Sequence, residues 1–126
     1  MSDRVALVTG ASGFVGRRLC DRLRHDGWIV RGLVYPDDAA SDAERKTNIG
    51  DRDALIDAIA WAGPITHAFH LAAVTFVPTS AKSPALTMDV NITATVNLLH
   101  GVRDAAPNAR TIYVGSASCY GVPSAL

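Results

Sequence analysis

The stretch Val5-Ala-Leu-Val-Thr-Gly-Ala-Ser-Gly-Phe-Val-Gly16 decides the fold. Its first four residues are apolar without alternation and end at Thr9-Gly10, too short for a helix. A strand of that kind is buried on both faces, as in a parallel sheet covered by helices. From Phe14 the period changes. Val15, Leu19 and Leu23 lie four apart on one helical face, while Arg17, Arg18, Asp21, Arg22 and Arg24 fall elsewhere. The three glycines at this strand-to-helix turn have separate tasks. Gly10 permits the tight turn, Gly13 lets a diphosphate approach the backbone without meeting a β-carbon, and Gly16 lets helix and strand pack closely. The N–H groups and positive dipole end of the following helix would face the phosphates. The pattern predicts a dinucleotide-binding turn.

Strands and helices alternate outward from this turn. Gly27 stops the first helix, and Trp28–Val34 reads as a second strand ended by Tyr35-Pro36. Residues 37–47 are polar and read as a loop or a frayed helical turn. A third strand around Lys46–Ile49 would be short and poorly apolar, which suits a sheet edge. Asp51 can cap a helix carrying Leu55, Ile56 and Ile59, broken at Gly63-Pro64. Ile65–Ala72 predicts a fourth strand, Thr75–Pro84 a loop with two prolines, and 85–106 a long helix ending before Pro107. That helix has two apolar stripes, Val90/Ala94/Leu98/Val102 and Ile92/Val96/Leu99. One can pack on the sheet; the other needs a neighbouring helix or a partner subunit. Arg110–Val114 is the fifth strand. The whole predicts an α/β fold, a doubly wound parallel sheet of order 3-2-1-4-5, with the ligand at the carboxyl ends of the central strands.

Composition narrows the function classes. Twelve basic and twelve acidic residues in 126 leave no formal net charge, so no basic face is available for nucleic acid. Charged residues, at 19%, are too diluted by apolar ones for disorder. Cys20 and Cys119 lack metal-ligand spacing and read as reduced thiols of a cytoplasmic protein, Cys119 as small buried filler. No apolar run approaches a membrane span and no signal peptide is apparent, so a soluble chain without a membrane partner is expected. His25 and His100 read as surface residues on helices, His67 as structural, and His70 as shaping the end of the fourth strand.

Further motifs stand in order along the chain: Asn48-Ile-Gly-Asp51-Arg-Asp-Ala-Leu55, His70-Leu-Ala-Ala73, Asp89-Val-Asn91-Ile-Thr-Ala-Thr-Val-Asn97-Leu-Leu99 and Ser116-Ala-Ser-Cys-Tyr120-Gly121. Together with Thr9-Gly-x-x-Gly-Phe-x-Gly16 they resemble the extended short-chain dehydrogenases/reductases, the NAD-dependent epimerase/dehydratase group, over essentially all 126 residues. The resemblance implies a Rossmann-like NAD(P)-binding domain over 1–126. It also implies that the chain is the N-terminal portion of a longer protein, with the substrate domain outside it. By resemblance, Gly10, Ser12, Gly13, Phe14, Val15 and Gly16 would hold the diphosphate. Asn48, where the family usually has Asp, and Ile49 would hold the adenine. Leu71, Ala72 and Ala73 would line the cofactor, and Asn91 would be the structural asparagine supporting it. Asp51 is a helix cap on this reading.

The same resemblance implies Ser116 as the catalytic residue bonded to the sugar's reacting hydroxyl, with Ser118 and Tyr120 also against substrate. The family's Tyr-x-x-x-Lys pair is not matched, since Ala117 and Ser124 follow Tyr113 and Tyr120 at that spacing and Lys82 is the last lysine. The chain alone is therefore expected to be inactive. The ribose-binding acid would fall at Val34, which accepts no hydrogen bond. Asp37 and Asp38 nearby would repel a 2′-phosphate and favour NAD, whereas Arg17 or Arg18 could reverse the preference toward NADP. The implied activity is oxidation of a nucleotide-sugar C4 hydroxyl followed by epimerisation or dehydration. A GDP-6-deoxyhexose-type reductase is the alternative. Gly32-Leu-Val34 and Ser116-Ala-Ser118 are similar to GDP-mannose 4,6-dehydratases and those reductases, and also to UDP-glucose 4-epimerases. A non-catalytic dinucleotide-binding module is a reading of another class, and a fragment with an uncovered apolar surface a third. A homodimer through the helix at 85–106 is the expected assembly.

Overall fold

The computed structural model describes residues 3–122 and 124. Five parallel strands stand in the order β3-β2-β1-β4-β5. They are β1 Val5–Thr9, β2 Ile29–Val34, β3 Glu44–Lys46, β4 His67–His70 and β5 Arg110–Tyr113. The order expected from the sequence is borne out. Alternation along β1 explains why it sits at the centre. Val5 and Leu7 join one core with Leu33, Leu55, Ile59, Leu98 and Val102, while Ala6 and Val8 join another with Cys20, Leu23, Val30 and Val34. Every residue of β1 is buried.

Helix α1, Phe14–His25, covers the second core, and α2, Arg52–Ala62, lies over the first. The buried face of α1 is Gly16, Cys20 and Leu23, with Leu19 half-buried. Val15, read as the start of that face, is exposed because Gly16 alone fits against the strand. A β-carbon on Gly16 would stand 2.0 Å from the carbonyl oxygen of Gly10. The Asp51 cap is as expected: its Oδ1 accepts from the N–H groups of Asp53 and Ala54 at 3.0 and 3.1 Å.

Three departures have physical causes. The third strand is Glu44–Lys46, two residues earlier than read, because an edge strand tolerates charged side chains. Ile49 instead packs on the core from the following loop. The stretch 75–84 is not all loop: α3 spans Val77–Lys82, and α4, Pro84–Met88, follows it. Both prolines sit in a helix's first turn, where a missing N–H costs nothing. Third, the long helix runs through α4, a π-helical turn Asp89–Thr93 and α5, Ala94–Ala105, rather than as one α-helix over 85–106.

Its two stripes have different fates. Ala94, Leu98 and Val102 are buried, whereas Ile92, Val96 and Leu99 lie exposed, with no neighbouring helix over them among the described residues. Leu98 is 1% exposed and Leu99 42%. Leu98→Ala is expected to lower the unfolding free energy by about 2–5 kcal/mol, the cost of a core cavity. Leu99→Ala should cost the monomer less than about 1 kcal/mol in denaturant unfolding.

Candidate functional site

The carboxyl ends of three adjacent strands set the site. Thr9 on β1 is in register with His70 on β4, and His70 with Tyr113 on β5. Beyond Thr9 the chain turns at Gly10, whose φ of +67° is open to glycine at little cost. There the turn meets the end of β4, and a β-carbon on Gly10 would stand 2.9 Å from the Ala72 nitrogen. Gly13 has open space above it apart from the Gly10 carbonyl. It begins α1, which carries no side-chain cap. The N–H groups of the first turn of α1 therefore await an acceptor. Phe14 and Val15 stand exposed beside them, and Arg18 lies over the Phe14 ring at 4.1 Å. A glycine-lined, uncapped helix N-terminus of this kind fits an anionic diphosphate.

The hydrogen bonds around Thr9 can be counted to completion. Its hydroxyl oxygen accepts from the N–H groups of Leu71 and Ala72, both at 3.1 Å. With both lone pairs used, its proton goes to Nδ1 of His70 at 2.7 Å. Nδ1 is then an acceptor, and the network assigns the ring proton to Nε2. That N–H donates to the Thr95 hydroxyl at 2.8 Å, and Thr95 donates in turn to the Asn91 carbonyl at 2.9 Å. The Asn91 side chain grips Val74 twice, accepting its N–H at 2.7 Å and donating to its carbonyl at 2.9 Å. The chain of bonds ties the glycine turn, the loop after β4 and the long helix together. The π turn coincides with this grip, as such turns often do at functional positions.

A cavity of about 380 Å³ lies above this network, lined in part by Leu71, Ala72, Ala73, Asn91, Tyr113 and Ser116. Five residues singled out from the sequence thus converge. Tyr113, which sequence reasoning did not place here, is the sixth; its register opposite His70 is the signal that would have found it. Ser116 accepts the Ser118 N–H at 3.1 Å, leaving its own proton to donate. Ser118 and Tyr120 stand on a short 3-10 turn, Ala117–Tyr120, and do not line the cavity. Tyr120 is 93% exposed. Cys119, read as buried filler, is exposed, because no other element among the described residues packs over that turn.

Ser12 belongs to a second cleft of about 240 Å³ with Ala11, Arg17, Cys20, Arg24 and Glu44. The Ser12 hydroxyl donates to the Asp38 carboxylate, and Arg17 donates to the Ser12 carbonyl at 2.8 Å. An acid from the loop after β2 thus reaches the glycine turn, a contact that the Asp37-Asp38 pair alone did not reveal. Asn48 lines neither cavity. Its Oδ1 accepts the Gly50 N–H at 3.1 Å, which shapes the loop before α2.

Burial holds the His70 imidazole below its usual pKa of 6.5, with no charged neighbour involved. His67, against Trp28 at the other end of β4, is lowered by burial and then by Arg110 and Arg4. For both groups the unfolded chain takes up the proton first. Their stabilising contribution is complete above about pH 6.5 and is lost as pH falls toward the folded values. Unfolding free energy should therefore decline on acidification from pH 6.5, and less steeply in His70→Gln than in wild type.

Comparison with known proteins agrees with this geometry. The model of the NAD dependent epimerase/dehydratase family matches residues 6–125. The chain is 31% identical over 124 residues to a GDP-6-deoxy-D-mannose reductase of Pseudomonas aeruginosa, covering 96% of this chain and 36% of the relative. It is 37% identical over 133 residues to a UDP-glucose 4-epimerase of Mycolicibacterium smegmatis, covering 94% and 41%. A UDP-glucose 4-epimerase from Brucella ovis, solved in complex with NAD, superposes with a TM-score of 0.82 at 25% identity, over 99% of this chain and 39% of that one. The chain thus spans about two-fifths of the length of these relatives. No helix among the described residues is long and apolar enough to cross a membrane. On the match across nearly all of its length, the chain belongs to the NAD dependent epimerase/dehydratase family.

Proposed function

We propose that the chain supplies the cofactor site and the substrate-contacting serine of an NAD-dependent nucleotide-sugar epimerase or dehydratase. The observation that carries this reading is the tie from Thr9, at the foot of the glycine turn, to the N–H groups of Leu71 and Ala72, whose loop lines one cavity with Asn91 and Ser116 at the carboxyl ends of β4 and β5. Gly10, Gly13, Phe14, Val15 and Gly16 hold the diphosphate through backbone N–H groups and the α1 dipole. Leu71, Ala72 and Ala73 line the cofactor, with Asn91 fixing their loop. Asn48 and Ile49 serve the adenine through the loop before α2. When bound, the nicotinamide supplies a hydride acceptor. Ser116 orients the sugar hydroxyl, and Ser118 and Tyr120 close on the substrate from the exposed turn. A GDP-6-deoxyhexose-type reductase is supported by the reductase relative, whose name states that chemistry.

NAD rather than NADP is favoured by Asp38. Its carboxylate accepts from the Ser12 hydroxyl in the glycine turn, and an acid held there would accept from a ribose hydroxyl and repel a 2′-phosphate. The exposed Ile92/Val96/Leu99 stripe, in turn, is the face through which a second copy docks to form a homodimer.

Calorimetric titration tests the cofactor reading. NAD is expected to bind with a Kd near the micromolar range, about −8 kcal/mol, and NADP about tenfold or more weaker. Asp38→Asn should narrow that difference. No binding of either dinucleotide would contradict the reading; binding without any turnover of nucleotide sugars by the intact protein would leave a non-catalytic module. Sedimentation should show a dimer that Val96→Glu converts to a monomer of unchanged fold.

A further inference from the structure

We infer that His70 is a positioning residue of the cofactor pocket: as a neutral imidazole bridging Thr9 and Thr95, it holds the Leu71–Val74 loop in its cofactor-binding form, so that dinucleotide binding excludes a proton from the ring. The inference rests on the dinucleotide reading above and adds a residue at the cavity wall that acts through the loop it holds.

The bonding leaves the ring no second solution. His70 is 3% exposed, so water does not share its nitrogens freely. A proton on Nδ1 would set two donors against each other, because the Thr9 oxygen already accepts from Leu71 and Ala72. Thr9 would have to release one of those N–H groups, which loosens the loop where it lines the cavity. Turning the ring away instead releases Thr95, and with it the helix turn from which Asn91 grips Val74. Either movement reaches the cavity wall.

Nothing facing the ring among the described residues compensates a positive charge. β1, the π turn and α5 bring Thr9, Asn91 and Thr95, none of which ionises, and β5 brings the Tyr113 ring at a centroid distance of 5.9 Å. No carboxylate bonds to either nitrogen. In the free protein the loop can yield to a proton at acid pH. With the dinucleotide seated on the loop it cannot, and proton and cofactor become competitors.

The test is the Kd for NAD between pH 5.5 and 8 in the wild type, His70→Gln and His70→Leu. Glutamine offers an acceptor for Thr9 and a donor for Thr95 in one side chain and takes up no proton. Wild-type affinity should weaken on acidification with a slope approaching tenfold per pH unit, the limit for one linked proton. His70→Gln should bind like wild type at pH 8 and stay flat to pH 5.5. His70→Leu should bind more weakly throughout, with no acid-side slope. Parallel pH profiles for wild type and His70→Gln, or unimpaired binding by His70→Leu, would overturn the inference.

Nitrogen-15 chemical shifts of His70 in the free protein separate this failure from that of the reading beneath it. A proton resident on Nδ1 at neutral pH overturns the positioning role even if NAD binds. Absence of NAD binding at every pH, with the Nε2–H tautomer intact, overturns the dinucleotide reading and the coupling built on it.

Discussion

The Thr9 hydroxyl is the joint on which the site depends. One oxygen takes the two N–H groups that begin the loop after β4 and passes its proton to a buried histidine. Without those acceptor bonds, two half-buried backbone donors would stand unpaired at the rim of the cavity, each at a cost below the ~1–3 kcal/mol of a fully buried donor. The joint works only because the backbones of β1 and β4 approach so closely. Gly10 has its nitrogen neighbour at Ala72 where a β-carbon would collide, and Gly16 sits over the Gly10 carbonyl. Close packing and hydrogen bonding therefore specify the same local geometry.

This coincidence explains which parts were legible in the sequence. Glycine spacing and the change from an unbroken apolar run to a helical period are local signals, and they led directly to the strand order and the turn. The Asp51 cap was equally local. What escaped depends on partners far away in the chain. Thr9 and His70 are 61 residues apart, and His70 and Thr95 are 25 apart, so no window of sequence joins them. Pro78 and Pro84 read as loop residues because composition does not say whether a proline falls within a helix or in its first turn. The charged run Glu44–Lys46 hid an edge strand, since an edge needs less apolar surface than a central strand. Ser12 and Asp38 were each noticed separately, and only the folded chain brings them together.

The two halves of the long helix divide structure from assembly. Its buried stripe closes the core against α2, and its π turn delivers Asn91 to the loop that shapes the cavity. The opposite stripe meets solvent. Met88, Tyr113, Val114 and Tyr120 are exposed as well, and of these Tyr113 and Val114 line the cavity beside Ser116. The cavity wall formed by β5 is therefore apolar, while the glycine turn presents backbone donors beside the neighbouring cleft.

The most direct measurement is a map of backbone amide shifts as NAD is added to the isotopically labelled protein. The account predicts saturable changes concentrated at Gly13–Gly16 and Leu71–Val74, with Ser116 following and the far ends of the strands unmoved. Changes absent from the glycine turn, or confined to the exposed stripe of α5, would contradict it.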